Sequence, residues 1–211
     1  MRIIWRSISP RGGSCSQLTN GSRCSAVAVS AARRKVRGAA LQTLRTLPQP
    51  EKLWGMDLPD LPPDLKFARL GSAPGDVDFA YQAKQAAMGP HIMKRWTWDE
   101  AFQRRLHEHH FSAKAFFGIR RSEQRIGTLS LHRETDHLRF GEFYLFPEHQ
   151  GRGTGSAILA HCLAVADDLG LSVRLEYLHW NPVGSLYRRH GFKEIGRSET
   201  HCFMQRDAAV L

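Results

Sequence analysis

Gln150-Gly151-Arg152-Gly153-Thr154-Gly155 stands between two segments of different periodicity. Residues 138–146 before it read as a strand, and residues 156–169 after it carry the apolar spacing of an amphipathic helix. Three alternating glycines let the backbone turn tightly and approach a ligand with no Cβ in the way. The helix behind them would direct its unpaired N–H groups and positive dipole end at whatever sits there, so an anion is the natural guest. The stretch reads as a phosphate cradle on a strand–turn–helix unit.

A mononucleotide loop of the form G-x-x-x-x-G-K-[ST] is excluded, because no Lys follows Gly155 to reach a β- or γ-phosphate. A dinucleotide fingerprint, G-x-G-x-x-G/A, fails in both registers: from Gly151 its last position is Ser156, and from Gly153 it is Ile158. The pattern Q/R-x-x-G-x-G/A is met by Gln150, Gly153 and Gly155. One helix and one strand later comes Asn181-Pro182-Val183-Gly184-Ser185-Leu186-Tyr187-Arg188-Arg189-His190-Gly191-Phe192. Here Asn181 ends a strand, Pro182 enters a helix where its missing N–H costs nothing, and Gly191 stops that helix. The two segments resemble the acyl-CoA loop and the later N-x…-L-Y-x-x-x-G-F motif of the GNAT N-acetyltransferase superfamily. The Asn-to-Tyr spacing is one residue shorter than the commonest form.

Around these motifs the chain alternates between the two periods. Strands are expected at 65–70, 114–120, 125–131, 137–146, 172–178, 192–196 and 200–205. Helices are expected at 75–88, at 98–110 with a cap near Thr97, at 156–169, and briefly from Pro182. Ala80, Tyr81, Ala83 and Ala87 give the first helix its apolar stripe, and Arg121-Ser122-Glu123-Gln124 turns a hairpin. The resemblance covers about residues 65–206. It implies an α/β (α+β) fold with a mixed, mostly antiparallel central sheet of about seven strands flanked by four helices.

Charge divides the chain. Residues 1–55 hold ten of the 30 Lys and Arg but one of the 20 acids, Glu51, so nearly all of the net +10 lies there. That segment mixes Ser, Gly, Arg and Ala without long apolar periodicity, and reads as a basic, disordered extension or as sequence upstream of a start at Met56. Organelle targeting by a basic amphipathic helix at 30–47 is the lesser alternative to a cytoplasmic location. Residues 56–64, with Pro59, Pro62 and Pro63, form a lead-in to a domain at 65–211. No apolar run approaches a membrane span, and no base-reading motif accompanies the basic charge, so neither a membrane nor a nucleic-acid partner is expected. Cys162 and Cys202 are expected to be buried small hydrophobes.

The resemblance implies acetyl transfer from acetyl-CoA to an amine within a ternary complex. Backbone N–H groups of Gly151, Arg152, Gly153, Thr154, Gly155 and Ser156 would hold the pyrophosphate, with Gln150 opening the loop. Phe143, Tyr144 and Leu145 would pair with the pantetheine arm, and a backbone N–H there would stabilise an oxyanion. Tyr187, at the motif position of the general acid, would protonate the departing thiolate. Asn181 would position the pantetheine or the adjacent backbone.

An alkylamine arrives protonated, so a carboxylate must take a proton directly or through water. Glu176, five residues before Asn181, has the placement of the base in ribosomal-protein N-terminal acetyltransferases. Glu142, beside the thioester-binding segment, is the other candidate. Strand alternation places it on one face with Phe140, Tyr144 and Phe146 unless a bulge shifts the register. For the acceptor, Trp96 and Trp98 offer aromatic walls and His201 a polar contact. Trp96-Thr97-Trp98-Asp99 with Glu199-Thr200-His201 resembles a bacterial GNAT branch of unassigned substrate. In the cluster His107-Glu108-His109-His110, His107 and His110 share a helix face and no H-E-x-x-H spacing exists, so no metal is expected. Two classes follow: an N-acetyltransferase for a small amine, a protein N-terminus or a lysine, with homodimerisation an open option, and a CoA-binding sensor or pseudo-enzyme.

Overall fold

A computed structural model of the chain describes residues 57–209. The basic extension assigned to residues 1–55 lies outside the described residues. In chain order the elements are β1 (Leu65–Arg69), α1 (Pro74–Ile92), α2 (Glu100–Ala113), β2 (Phe116–Arg121), β3 (Gln124–Arg133) and β4 (His137–Leu145). After a 3₁₀ turn at Pro147–His149 come α3 (Thr154–Asp168), β5 (Ser172–Leu178), α4 (Gly184–Arg189), β6 (Lys193–Arg197) and β7 (His201–Arg206). The seven strands form one mixed sheet in the order β1-β2-β3-β4-β5-β7-β6, in which β4 and β5 run parallel and the other neighbours antiparallel.

Two helical layers cover the sheet. Ile158, Leu159, Cys162, Leu163 and Ala166 give α3 a buried stripe at helical spacing, set against Ile119, Leu129, Leu138, Phe140, Val173 and Leu175 of the strands. Each such large apolar side chain contributes about 1.5–3 kcal/mol by leaving water. On the opposite face Ala80 of α1 and Phe111 of α2 enclose Leu70 and Phe116. Cys162 and Cys202 are buried free thiols, as their apolar setting suggested. The proline-rich lead-in packs too: Leu58 joins the main core, and the Pro59 carbonyl lies 2.7 Å from His161 Nε2 of α3. Among the described residues no helix is long and apolar enough to cross a membrane.

Three local features depart from the expected pattern. First, α1 runs through Pro90 to Ile92, one turn past the expected stop at 88, and closes with Met93 N–H on the Gly89 carbonyl. Second, α2 is capped by Asp99 rather than near Thr97, its carboxylate accepting from Phe102 N–H at 2.9 Å. Third, β4 is bulged. Thr128 pairs with Tyr144 and Ser130 with Gly141, so Glu142 and Phe143 together oppose Leu129. Glu142 takes a left-handed φ of 45° there. The extra residue flips the alternation. Phe140 lies with Phe143 and Leu145 on the α3 face, while Glu142 and Tyr144 face the other layer, where Phe146 touches Phe79 of α1. Alternation had placed Phe140 beside Glu142; the bulge separates them.

The bulge coincides with a parting of strands. β4 and β5 pair at His137, Leu138 and Arg139 and then diverge, although both continue to Leu145 and Leu178. A wedge-shaped gap therefore opens in the middle of the sheet, directly before the glycine loop.

Candidate active site

The gap and the loop meet at Leu145. Gln150 Nε2 donates to the Leu145 carbonyl at 2.7 Å and so ties the start of the loop to the end of β4. Gly151 and Gly153 have φ of 73° and 81°, and a Cβ at either would meet nothing within 4 Å. Backbone conformation, not crowding, therefore demands glycine, and the space above the loop is open. Gly153 caps α3 without any side-chain hydrogen bond, and the first helical bond there is Ala157 N–H to the Gly153 carbonyl. The N–H groups of Thr154, Gly155 and Ser156 are thus left for a ligand at the positive end of the helix. Arg121 donates to Thr154 Oγ1 at 3.2 Å, and Ser156 Oγ lies 2.7 Å from His190 Nε2. Arg121, Arg152, Gly153 and Thr154 line a cavity of about 380 Å³ together with residues 61–65, where Asp64 pairs with Arg121 at 3.0 Å. An open, donor-rich loop flanked by arginines fits a pyrophosphate.

Beyond Arg139 and Arg174 the facing backbones of β4 and β5 no longer bond each other. The edge of β4 at Phe143, Tyr144 and Leu145 is accordingly free to take an extended, amide-bearing guest in the manner of an added strand. On the α3 side, the Tyr187 ring is buried against Tyr177 and Phe192, with centroids 5.6 and 5.9 Å away. Burial, helped by Tyr177, pushes its hydroxyl pKa up, so the phenol stays a proton donor. Asn181 serves the turn into α4: its Oδ1 accepts from Val183 N–H at 3.0 Å, and its amide nitrogen lies 3.8 Å from Met88 Sδ of α1.

The other face holds a buried polar network. Glu142 receives Lys114 Nζ and His110 Nδ1 on one oxygen, the latter at 3.2 Å, and the Tyr144 hydroxyl on the other at 2.9 Å. Burial alone would raise its carboxyl, but the Lys114 ammonium and the His110 contact outweigh burial and hold it well below the usual carboxylate range. Tyr144 is driven well above the ordinary phenol value by burial and then by Glu142, with Tyr187 and Glu176 contributing in the same direction. Burial lowers Lys84 to about 8 despite the pull of Glu142, and lowers His107, whose Nε2 lies 3.1 Å from the Val77 carbonyl, to about 4. Among the described residues no three His, Cys, Asp or Glu side chains cluster to hold a metal ion.

Glu176 stands on β5 and pairs with Arg139 at 2.8 Å. His201 on β7 lies opposite Leu178, on the same face as Glu176, with its Nδ1 2.7 Å from Thr200 Oγ1. The two tryptophans separate. Trp98 bonds Glu100 at 2.8 Å and packs near Gly89 and Tyr81, where it braces the α1–α2 junction. Trp96 meets Trp180 at 5.1 Å, and Trp180 is itself anchored to the His91 carbonyl and overlaid by Arg95 at 4.5 Å. Trp180, His110 and Lys114 were not singled out as site residues from the sequence. For His110 a signal existed: it shares a helix face with His107, which was weighed for metal binding rather than for its position over β4.

Residues 112–194 match the family model described as acetyltransferase (GNAT) domain. No curated protein matches the chain by sequence. Among solved structures, the PaiA N-acetyltransferase from Thermoplasma acidophilum in complex with coenzyme A is similar at a TM-score of 0.57 and 17% identity, over 69% of this chain and 99% of that one. The ribosomal-protein-S18-alanine N-acetyltransferase from Escherichia coli gives 0.52 and 16%, over 70% and 96%. An acetyltransferase from Thermus thermophilus gives 0.52 and 16%, over 72% and 99%. At these identities the likeness to the structures is one of fold.

Proposed function

We propose that the chain, whose residues 112–194 match the GNAT acetyltransferase domain model, is an acyl-CoA-dependent acyltransferase that transfers an acetyl group from acetyl-CoA directly to a primary amine. The acceptor is a small molecule, a protein N-terminus or a lysine. The observation that carries the reading is the coincidence of the β4–β5 gap with the uncapped N-terminus of α3. In this reading residues 56–64 lead into a catalytic domain at 65–211, and residues 1–55 are a separate basic extension.

Acetyl-CoA supplies the electrophilic thioester carbonyl. The N–H groups of the loop from Gly151 to Ser156 hold the pyrophosphate, with Gln150 bracing the loop. The β4 edge at Phe143, Tyr144 and Leu145 aligns the arm, and one of its N–H groups receives the charge that develops on the carbonyl oxygen. Tyr187, kept protonated at neutral pH by its burial, gives its proton to the departing sulfur. Asn181 sets the start of α4 and so the position of Tyr187. The amine enters from the α1–α2 face, past Trp96 and His201, toward Glu142 and Glu176. One proton leaves the ammonium before attack. A second leaves as the C–N bond forms and the C–S bond breaks, balancing the proton taken by sulfur.

A CoA-binding sensor is the second reading, favoured by one observation: both candidate carboxylates are already ion-paired, Glu142 with Lys114 and Glu176 with Arg139. Thiol release from acetyl-CoA over a panel of amines and peptides separates the two. We expect release with one acceptor class, and a Tyr187→Phe variant that loses turnover by tenfold or more with acetyl-CoA affinity unchanged. Binding without release for every acceptor would favour the sensor, and wild-type turnover in Tyr187→Phe would remove Tyr187 as the acid.

A further inference from the structure

We infer that the imidazole of His110, oriented by Glu142, is the group that takes the proton from the incoming ammonium. The inference rests on the acetyltransferase reading above and deepens it. Glu142 is poorly suited to accept that proton itself. Its two oxygens already receive Lys114, His110 and Tyr144, and protonating it would break the pairing with the Lys114 ammonium in a buried site. Glu176 is held by Arg139.

His110 has what those carboxylates lack. Its Nδ1 faces the ionised Glu142 oxygen at 3.2 Å, which places the N–H on Nδ1 and the lone pair on Nε2. Among the described residues Nε2 has no hydrogen-bond partner, and the side chain is 27% exposed. The residue it leans on is the bulged Glu142, next to the strand segment that faces the gap. Tyr187 belongs to the core on the α3 side and His110 lies over the opposite face of β4, so the acid and the base come from the two layers of the domain.

The proton balance is simple. An N–H bond of the ammonium breaks, the proton joins Nε2, and the electron pair stays on nitrogen for attack on the carbonyl. Nδ1–H remains bonded to Glu142, which stays ionised and stabilises the imidazolium. The partly exposed ring then releases its proton to solvent. The charged and titratable groups around the pair are Tyr144 on β4, Lys114, His107 and His109 on α2, Lys84 on α1 and His132 on β3.

The test is the pH dependence of kcat/KM for thiol release by the full chain, using acetyl-CoA and the best amine of the panel. His110→Gln is expected to lower kcat/KM by about 10²–10³-fold, to remove the limb that rises with pH, and to leave acetyl-CoA affinity within about twofold. Glu142→Gln removes the charge that favours the imidazolium, so the limb moves to lower pH. Should that variant not fold, Lys114→Met spares both members of the pair and moves the limb to higher pH. A His110→Gln profile like wild type, alongside wild-type turnover, overturns the base while leaving the acetyltransferase intact. Absence of release by wild type with every amine overturns the acetyltransferase reading and the base with it.

Discussion

Replacing Lys114 by Met tests whether the polar network under the bulge holds the site together. Lys114 closes onto a Glu142 carboxylate that is 7% exposed, while its own side chain is 28% exposed. Methionine keeps most of the stem and removes the charge, leaving a buried carboxylate with His110 and Tyr144 as partners. Breaking a fully buried pair costs about 3–5 kcal/mol. The partial exposure of Lys114 and the two surviving partners reduce this to about 2–3 kcal/mol. For a domain of this size that is a fall in Tm of about 5–10 °C. Urea unfolding at pH 7 measures it, with Glu142→Gln and the double variant closing the cycle. The pH dependence adds a sign. The folded carboxyl lies below its unfolded value, so its contribution is present above the unfolded pKa and is lost as pH falls through the folded one. The gap between wild type and Lys114→Met must therefore narrow as the solution is acidified toward that range. A variant within about 0.5 kcal/mol of wild type at pH 7, below the range for a broken buried network, refutes this reasoning. So does a gap that widens on acidification.

Two further variants probe the gap and the loop. Gly127 lies where β3 meets the end of β4, and a Cβ there would stand 2.1 Å from the Tyr144 carbonyl oxygen. Gly127→Ala should push β3 and β4 apart and cost about 1–3 kcal/mol or more; unchanged unfolding midpoints would contradict it. Gln150→Ala removes the 2.7 Å bond to the Leu145 carbonyl. A lost hydrogen bond of this kind is worth about 1 kcal/mol, so calorimetry should show acetyl-CoA bound about fivefold more weakly with the fold intact. Equal affinity would mean that the loop does not depend on this brace.

The parts of the fold that follow from local pattern were legible in the sequence. β5 was expected at 172–178 and is found at Ser172–Leu178, because alternating Val173, Leu175 and Tyr177 admit one register. The hairpin turn around Ser122 and Glu123 and the loop before α3 were fixed by turn chemistry in the same way. What a linear pattern misses is contact across elements. Gly89 and Pro90 signal a stop, yet α1 continues to Ile92, whose one carbonyl accepts from both the Arg95 and the Trp96 N–H groups. The bulge at Glu142 depends on how β3 meets β4, and it reversed the facing of Phe140 relative to Glu142. Likewise, His110 and Lys114 gain meaning from a carboxylate 28 or more residues away in sequence. Asn181 was expected to position the pantetheine or the adjacent backbone, and its Oδ1 accepts from Val183 N–H; Gln150, expected to open the loop, donates to the Leu145 carbonyl.

The most direct test of the account is calorimetric titration of the full chain with acetyl-CoA, repeated for Gly153→Glu. Wild type is predicted to bind one acetyl-CoA saturably. The variant, with a carboxylate facing the pyrophosphate and a non-glycine residue forced to a φ of 81°, is predicted to stay folded and lose binding. No binding by wild type, or equal binding by a folded Gly153→Glu, would contradict the claim that the loop at the head of α3 is an acyl-CoA site.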